Sequence, residues 1–244
     1  MIIVSSFMPL KKENFDSYYE NQVIVIARYN ENLDWIEDKP FNLHPLIVYN
    51  KGTNDDFKTT DKVIQVHNLP NVGREIHTYL YHIIRNYDNL AEITIFLPGS
   101  LDIEEKFVKA KKVVETVEKT NNTTLSCEMI DNFIEDNFDF QMNEYLSSNE
   151  LNKQLNSSSA MELSSIRPYG KWYQNYFENI PNPCITKKAI ISLSKSQILK
   201  HTKTYYENFI QLLDGHHNPE VGHYFERSLY AVFYPYDKNA NIGI

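Results

Sequence analysis

Glycine is scarce in this chain, at 7 of 244 residues, and cysteine is scarcer, at 2. Cys127 and Cys184 have no metal-type spacing and are too few for a disulfide scaffold, so two thiols in a reducing, cytoplasmic setting are the simpler expectation. No apolar run is long enough to cross a membrane. The opening MIIVSSFMPL has no charged leader and no clear small-residue cleavage site, and a signal peptide is not expected from it. A basic stripe is also missing. The formal net charge is −8, which argues against a generic nucleic-acid partner and favours solubility without naming one. The chain contains no phosphate-binding Walker loop, no nucleophile elbow and no zinc-protease helix. It shows no internal repeat and no convincing boundary. With 42% hydrophobic and 23% charged residues it reads as an ordinary soluble globular protein, one domain over residues 1–244.

Short apolar runs rich in β-branched residues recur through the first half, VIVIA at 23–27, LIVY at 46–49 and ITIFL at 93–97, and KVIQV at 62–66 is a further short strand, partly alternating. Runs of this length suit buried strands. Each gives way to a polar loop: Arg28, Tyr29, Asn30 and Glu31 after the first, Asn50, Lys51 and Gly52 after the second, Ser100 to Asp102 after the fourth. Helical patterns intervene, beginning at residues 32–37, 71–87 and 103–119. Alternation of this kind predicts an α/β fold, a mixed and mostly parallel Rossmann-like sheet flanked by helices. Ligands of such sheets sit beyond the carboxyl ends of the strands, where these polar loops would meet.

The stretch at 71–88 joins a tight turn, punctuated by Pro70 and Gly73, to a helix with Ile76, Tyr79, Leu80, Ile83, Ile84 and Tyr87 on one side. A helix start carries free N–H groups and partial positive charge, so Arg74 there is unfavourable for the helix alone. Either a bound anion offsets that cost, as at phosphate-binding helix ends, or Arg74 is solvated or paired with Glu75. His77 and His82 read as packing or surface histidines. Glu104, Glu105, Lys106, Lys109, Lys111 and Lys112 read as a solvated helix face. The acidic and aromatic run 131–144 fits no EF-hand register, since it holds no glycine. Residues 147–165 read as a surface loop or weak helix. The cluster at 167–177, with Trp172 and Tyr173, reads first as core packing and second as an aromatic platform for a sugar acceptor. A late strand at 189–193 and amphipathic helices at 196–213 and 222–233 close the pattern, with the adjacent His216 and His217 in the turn between them.

The phrases VIARYNE at 25–31 with Leu33 and Trp35, then Tyr49-Asn50, NVGRE at 71–75, TYL at 78–80, NYDNL at 86–90, IFL at 95–97, Gly99, FIQLL at 209–213 and GHYFER at 222–227 occur in a particular order. That order resembles the family catalogued as domain of unknown function 3431, which is similar to glycosyltransferases of the GT-A type. The resemblance covers residues 22–235. It implies a GT-A-like domain, with a nucleoside-diphosphate sugar, most simply a UDP-sugar, as donor and a glycan or other hydroxyl as acceptor. By the same resemblance Arg28, Tyr29, Asn30 and Glu31 would hold base and ribose, and Asn50, Lys51, Asn71, Gly73, Arg74 and Ser100 would complete the donor site. GT-A enzymes commonly carry Asp-x-Asp after the strand matching 93–97, to hold manganese or magnesium. Here PGSLD leaves Asp102 alone. Either Asp102 serves as the metal ligand, or Arg74 and a lysine replace the ion, or catalysis is lost.

Glycosyl transfer passes through an oxocarbenium-like transition state and calls for a base at the acceptor hydroxyl. Glu226, with His223 one helical turn before it, is the candidate by analogy with a late carboxylate in GT-A enzymes. The competing reading has Glu226 paired with Arg227 or Arg74. The alternative function is a catalytically inactive nucleotide-sugar or glycan binder, or a structural protein that retains the fold.

Overall fold

The structure, a computed structural model, describes residues 21–131, 137–155 and 160–244. The opening MIIVSSFMPL segment, and Glu135 and Asp136 of the acidic run, lie outside the described residues. A seven-stranded sheet carries the fold, with strand order β3-β2-β1-β4-β8-β5-β9. Its parallel half comprises β1 (Gln22–Arg28), β2 (Leu46–Asn50), β3 (Val63–Asn68) and β4 (Ile93–Pro98). Strands β5 (Thr124–Leu125), β8 (Ile191–Ser194) and β9 (Asn241–Ile242) extend it beyond β4, with β8 antiparallel to both β4 and β5. A small second sheet pairs β6 (Glu128–Met129) with β7 (Cys184–Ile185).

Side chains of a strand alternate between faces, and in β1, β2 and β4 both faces are buried, whereas the edge strand β3 is partly exposed. Val23, Val25, Ile47, Tyr49 and Phe96 belong to one apolar layer. It also takes in Ile76, Tyr79, Leu80 and Ile83 of α1 (Arg74–Arg85), together with aromatics of α4 (Tyr169–Phe177), α5 (Lys203–Ile210) and α6 (Glu220–Arg227). Ile24, Ile26, Leu46, Val48, Ile95 and Leu97 belong to the other, with Trp35, Phe41 and the Ala110, Val113, Val114 and Val117 stripe of α2 (Glu104–Thr120). The expected mixed, mostly parallel sheet flanked by helices is what forms. No helix among the described residues is long and apolar enough to cross a membrane.

Several expectations are corrected. Residues 32–37 supply only a 3-10 turn, Asp34–Glu37. The helix expected over 196–213 breaks after Lys195–Ile198 and restarts at α5, because the Thr202 hydroxyl caps the new start by accepting from the Tyr205 amide at 3.3 Å. The helix expected at 222–233 is interrupted at Ser228 and resumes as Leu229–Val232. Trp172 is 1% exposed and packs edge-on to Phe225 and Phe177, and Tyr173 is buried beside it. Neither can stack on an acceptor sugar, so core packing is the role of that cluster. The two cysteines are not free thiols: Cys127 and Cys184 form a disulfide that ties the β6–β7 ribbon across a sequence separation of 57. Disulfides persist in oxidising surroundings, which the sequence reading did not anticipate.

Closing a loop of that size stabilises a fold by about 3–4 kcal/mol. Cys184→Ser is therefore expected to lower the denaturant midpoint, and reductant to lower that of the native chain by the same amount while leaving the variant unmoved. Two reactive thiols in the unreduced, denatured native chain would contradict this.

Candidate functional site

The order β3-β2-β1-β4 means that the chain leaves β1 toward one side of the sheet and returns to β4 on the other. A crevice at such a switch point is where open α/β sheets receive ligands. A cleft of about 760 Å³, open to solvent, lies there. Of the residues named from the sequence, Arg28, Tyr29, Glu31, Lys51, Asn71, Arg74 and Ser100 line it. They come from the ends of β1 and β2, the turn before α1 and the loop after β4.

The β1 end is fixed by Arg28, which is 0% exposed. Its guanidinium donates to the Glu31 carbonyl at 2.7 Å, to Asn50 Oδ1 at 2.6 Å and to the Asn54 carbonyl at 2.5 Å, and lies over the Phe57 ring. Arg28 thus clamps the β1 and β2 loops together rather than offering its charge outward. Asn50 passes the clamp on, donating to Asp55 Oδ1 at 2.7 Å. Asn30 is buried beneath the 52–54 loop and, like Asn50, stays out of the cleft lining. Gly52 permits this closeness: a Cβ there would lie 1.6 Å from the Tyr29 carbonyl oxygen. Glu31 is also buried, and both its oxygens are engaged. Oε2 accepts from the Tyr29 amide at 2.7 Å and Oε1 from Asn152 at 2.6 Å. Burial pushes its carboxyl above the usual range. Gly99 makes room for it, since a Cβ there would stand 2.8 Å from Oε2.

The opposite wall begins at a left-handed turn. Gly73 has φ 59° and Arg74 φ 53°, and α1 starts at once. Gly73 stays outside the cleft lining, where a Cβ would meet Leu213 at 2.6 Å. The Lys51 ammonium donates to the carbonyls of Val72 at 2.5 Å and Arg74 at 2.6 Å, which pins the turn to the end of β2. Lys51 is 7% exposed, and burial pulls its pKa down to about 7. The Arg74 side chain lies over the Tyr145 ring at 4.4 Å, donates to Asn218 at 3.3 Å and stands 3.6 Å from Glu75. It lines the cleft while paired with Glu75, so the pairing expected as the alternative is present.

Sequence reasoning missed several lining residues. Glu75 was weighed only as a partner for Arg74. Burial opposes its ionisation, but Arg74, Lys106 and Lys51 outweigh that and hold its carboxyl below the usual range. Lys106 is not part of a solvated face. It is half-buried, lines the cleft and donates to Ser100 Oγ at 2.6 Å. Tyr145, Ser147, Asn152, His217 and Asn218 come from loops and a short helix, α3 (Glu150–Leu155), whose polar sequences carry no period to mark them. His77 and His82 are packing groups, bonded to Asp214 at 2.9 Å and to the Tyr49 hydroxyl at 3.0 Å.

Glu226 and His223 do not reach the lining. His223 Nδ1 is 3.9 Å from Glu226, its ring tilts against Tyr145, and burial with Arg74 and Arg227 nearby pushes its pKa down to about 2. Burial and the neighbouring Glu75 raise the Glu226 carboxyl, with Arg74 opposing. The pair sits behind Arg74 as part of its charge environment. Asp102 is also outside the cleft lining, exposed, with both oxygens accepting from Asn149 at 3.0 and 2.7 Å. Among the described residues no three His, Cys, Asp or Glu gather as a metal would need. A divalent ion held by Asp102 would rest on that one carboxylate and the diphosphate.

The sequence profile of the family described as "Protein of unknown function (DUF3431)" matches residues 23–240. No curated protein matches the chain.

The unfolded chain titrates Lys51 near 10.5, the folded one near 7. The unfolded state thus takes the proton first as pH falls, so stability is greatest above the unfolded value, declines down to about 7 and then levels. Unfolding midpoints measured between these limits are expected to fall more steeply for the native chain than for Lys51→Met. Parallel slopes would contradict the lowered Lys51 pKa.

Proposed function

The chain belongs to this DUF3431 family, and from that premise we propose that it is a GT-A-like glycosyltransferase, moving a sugar from a nucleoside-diphosphate donor to a hydroxyl acceptor. The donor is taken to be a UDP-sugar and the acceptor a glycan. What supports the reading is one juxtaposition: Lys51, Arg74 and Lys106 meet in a crevice at the sheet's switch point, beside the first turn of α1. Two cations and a helix start suit a diphosphate, with Lys51 holding the turn between them. Tyr29 offers a ring for the base, and Glu31, held by the Tyr29 amide and Asn152, lines the wall beside it.

In this reading the acceptor oxygen bonds to the anomeric carbon as the carbon–oxygen bond to the diphosphate breaks. The electron pair of that bond leaves with the phosphate, and the acceptor proton goes to a carboxylate. Glu75 is the better candidate than Glu226 by position, because it lines the cleft, although its lowered carboxyl is the weaker base of the two. Glu226 and His223 then act on Arg74 and Glu75 from behind. The Cys127–Cys184 disulfide moves the proposed compartment from the cytoplasm to an oxidising one.

A second reading, a binder without turnover, draws on Asp102, the lone carboxylate after β4, which is tied to Asn149. The two readings part on turnover. A nucleotide panel is expected to raise the melting temperature with nucleoside diphosphates above monophosphates, and UDP-sugars to be hydrolysed or transferred. Glu75→Gln is expected to lower kcat by about a hundredfold with little change in donor KM, and Glu226→Gln to lower it less. Binding without any turnover favours the second reading. No thermal shift with any nucleotide removes both.

A further inference from the structure

Resting on the nucleotide-sugar reading, we infer that this cleft neutralises the diphosphate with side-chain cations, Lys106 foremost, and requires no divalent ion. The chain leaves β4 through Gly99 into Ser100, which is 5% exposed. At this place the Ser100 hydroxyl accepts from an ammonium, Lys106 Nζ, at 2.6 Å. The nearest matching carboxylate, Asp102, is exposed and tied to Asn149. The cleft's own carboxylates are also committed. Glu31 accepts from the Tyr29 amide and Asn152, and Glu75 is surrounded by Arg74, Lys106 and Lys51.

A second observation points the same way. Arg74 opens α1 and Lys106 lies in the first turn of α2, and both line the cleft. A cation at a helix start opposes the helix dipole. Two such misplaced cations, from separate helices on opposite sides of the sheet, converge on one crevice. An anion between them reverses both penalties and also meets the two helix starts. During transfer the bond from the anomeric carbon to the diphosphate breaks and its electron pair stays on the departing phosphate oxygen. The ammonium of Lys106 and the guanidinium of Arg74 compensate that charge, which is the service a metal would otherwise give.

The test is calorimetric titration of the full chain with UDP, in EDTA and again with manganese. Affinity in EDTA is expected to match that with manganese, and to fall steeply with added potassium chloride. Lys106→Met is expected to weaken UDP binding by about tenfold. Lys106→Arg should largely restore it, and Asp102→Asn should leave it unchanged. Melting temperatures of the variants separate lost binding from lost folding, and Lys106→Gln, which keeps a donor to Ser100, replaces the methionine variant if that one unfolds. Binding that appears with manganese and vanishes in EDTA overturns the inference while leaving the nucleotide reading intact, and so does unchanged affinity in folded Lys106→Met. Failure of UDP to bind in either buffer overturns the nucleotide reading itself, and this inference with it.

Discussion

The cleft depends on an ammonium group gripping two backbone carbonyls. Lys51 leaves the end of β2 and bonds to Val72 and Arg74 across the turn that starts α1. That turn holds two consecutive residues at positive φ, the second of them an arginine. A non-glycine residue there costs on the order of 1–2 kcal/mol, and such a conformation persists only when its surroundings over-determine it. Lys51 supplies one restraint, and the Gly73 amide, donating to the His216 carbonyl at 2.9 Å, supplies another. The dividend is positional: the strained residue is the one whose guanidinium stands at the crevice wall.

Around this grip the loops are interlocked by close approach. Arg28 spans β1, β2 and the loop at Asn54, and Gly52 and Gly99 exist where a methyl group would collide with the Tyr29 carbonyl or the Glu31 carboxylate. The charges follow from the same packing. Burial lowers Lys51 and raises Glu31, while crowding by cations lowers Glu75. The chain is acidic overall, yet its crevice is not, because these contacts concentrate cations there.

How much of this could be read in the sequence differs by element. Strands β1, β2 and β4 were legible because burial on both faces writes an unbroken apolar run, β3 by its partial alternation, and α1 because a one-sided helix writes a 3.6-residue period. The strand-end loops could be assigned to one rim on topology alone, and Arg28 through Ser100 fall there. What a loop residue does within the rim was not legible. Arg28 and Arg74 carry the same side chain, but one is consumed by carbonyls behind the rim and the other lies along it. Lys106 looked like any lysine on a charged helix face, since its distinction comes from Ser100, six residues earlier across a turn. The β5 to β7 and β9 strands are two residues each, too short for any period. The disulfide joins segments that only the fold brings together.

Glu220 has no exposure at all, yet its carboxylate collects the amides of Met142 and Ser164, the Tyr224 hydroxyl and the Arg167 guanidinium. These anchors bracket the stretch that contributes Tyr145, Ser147 and Asn152 to the crevice. The outer wall is thus rooted in α6, and it meets the rim where Asn152 donates to Glu31 and Tyr145 lies against Arg74. A substitution at Asn152 or Tyr145 is therefore felt on the Glu31 and Arg74 side of the crevice as well as at its outer wall.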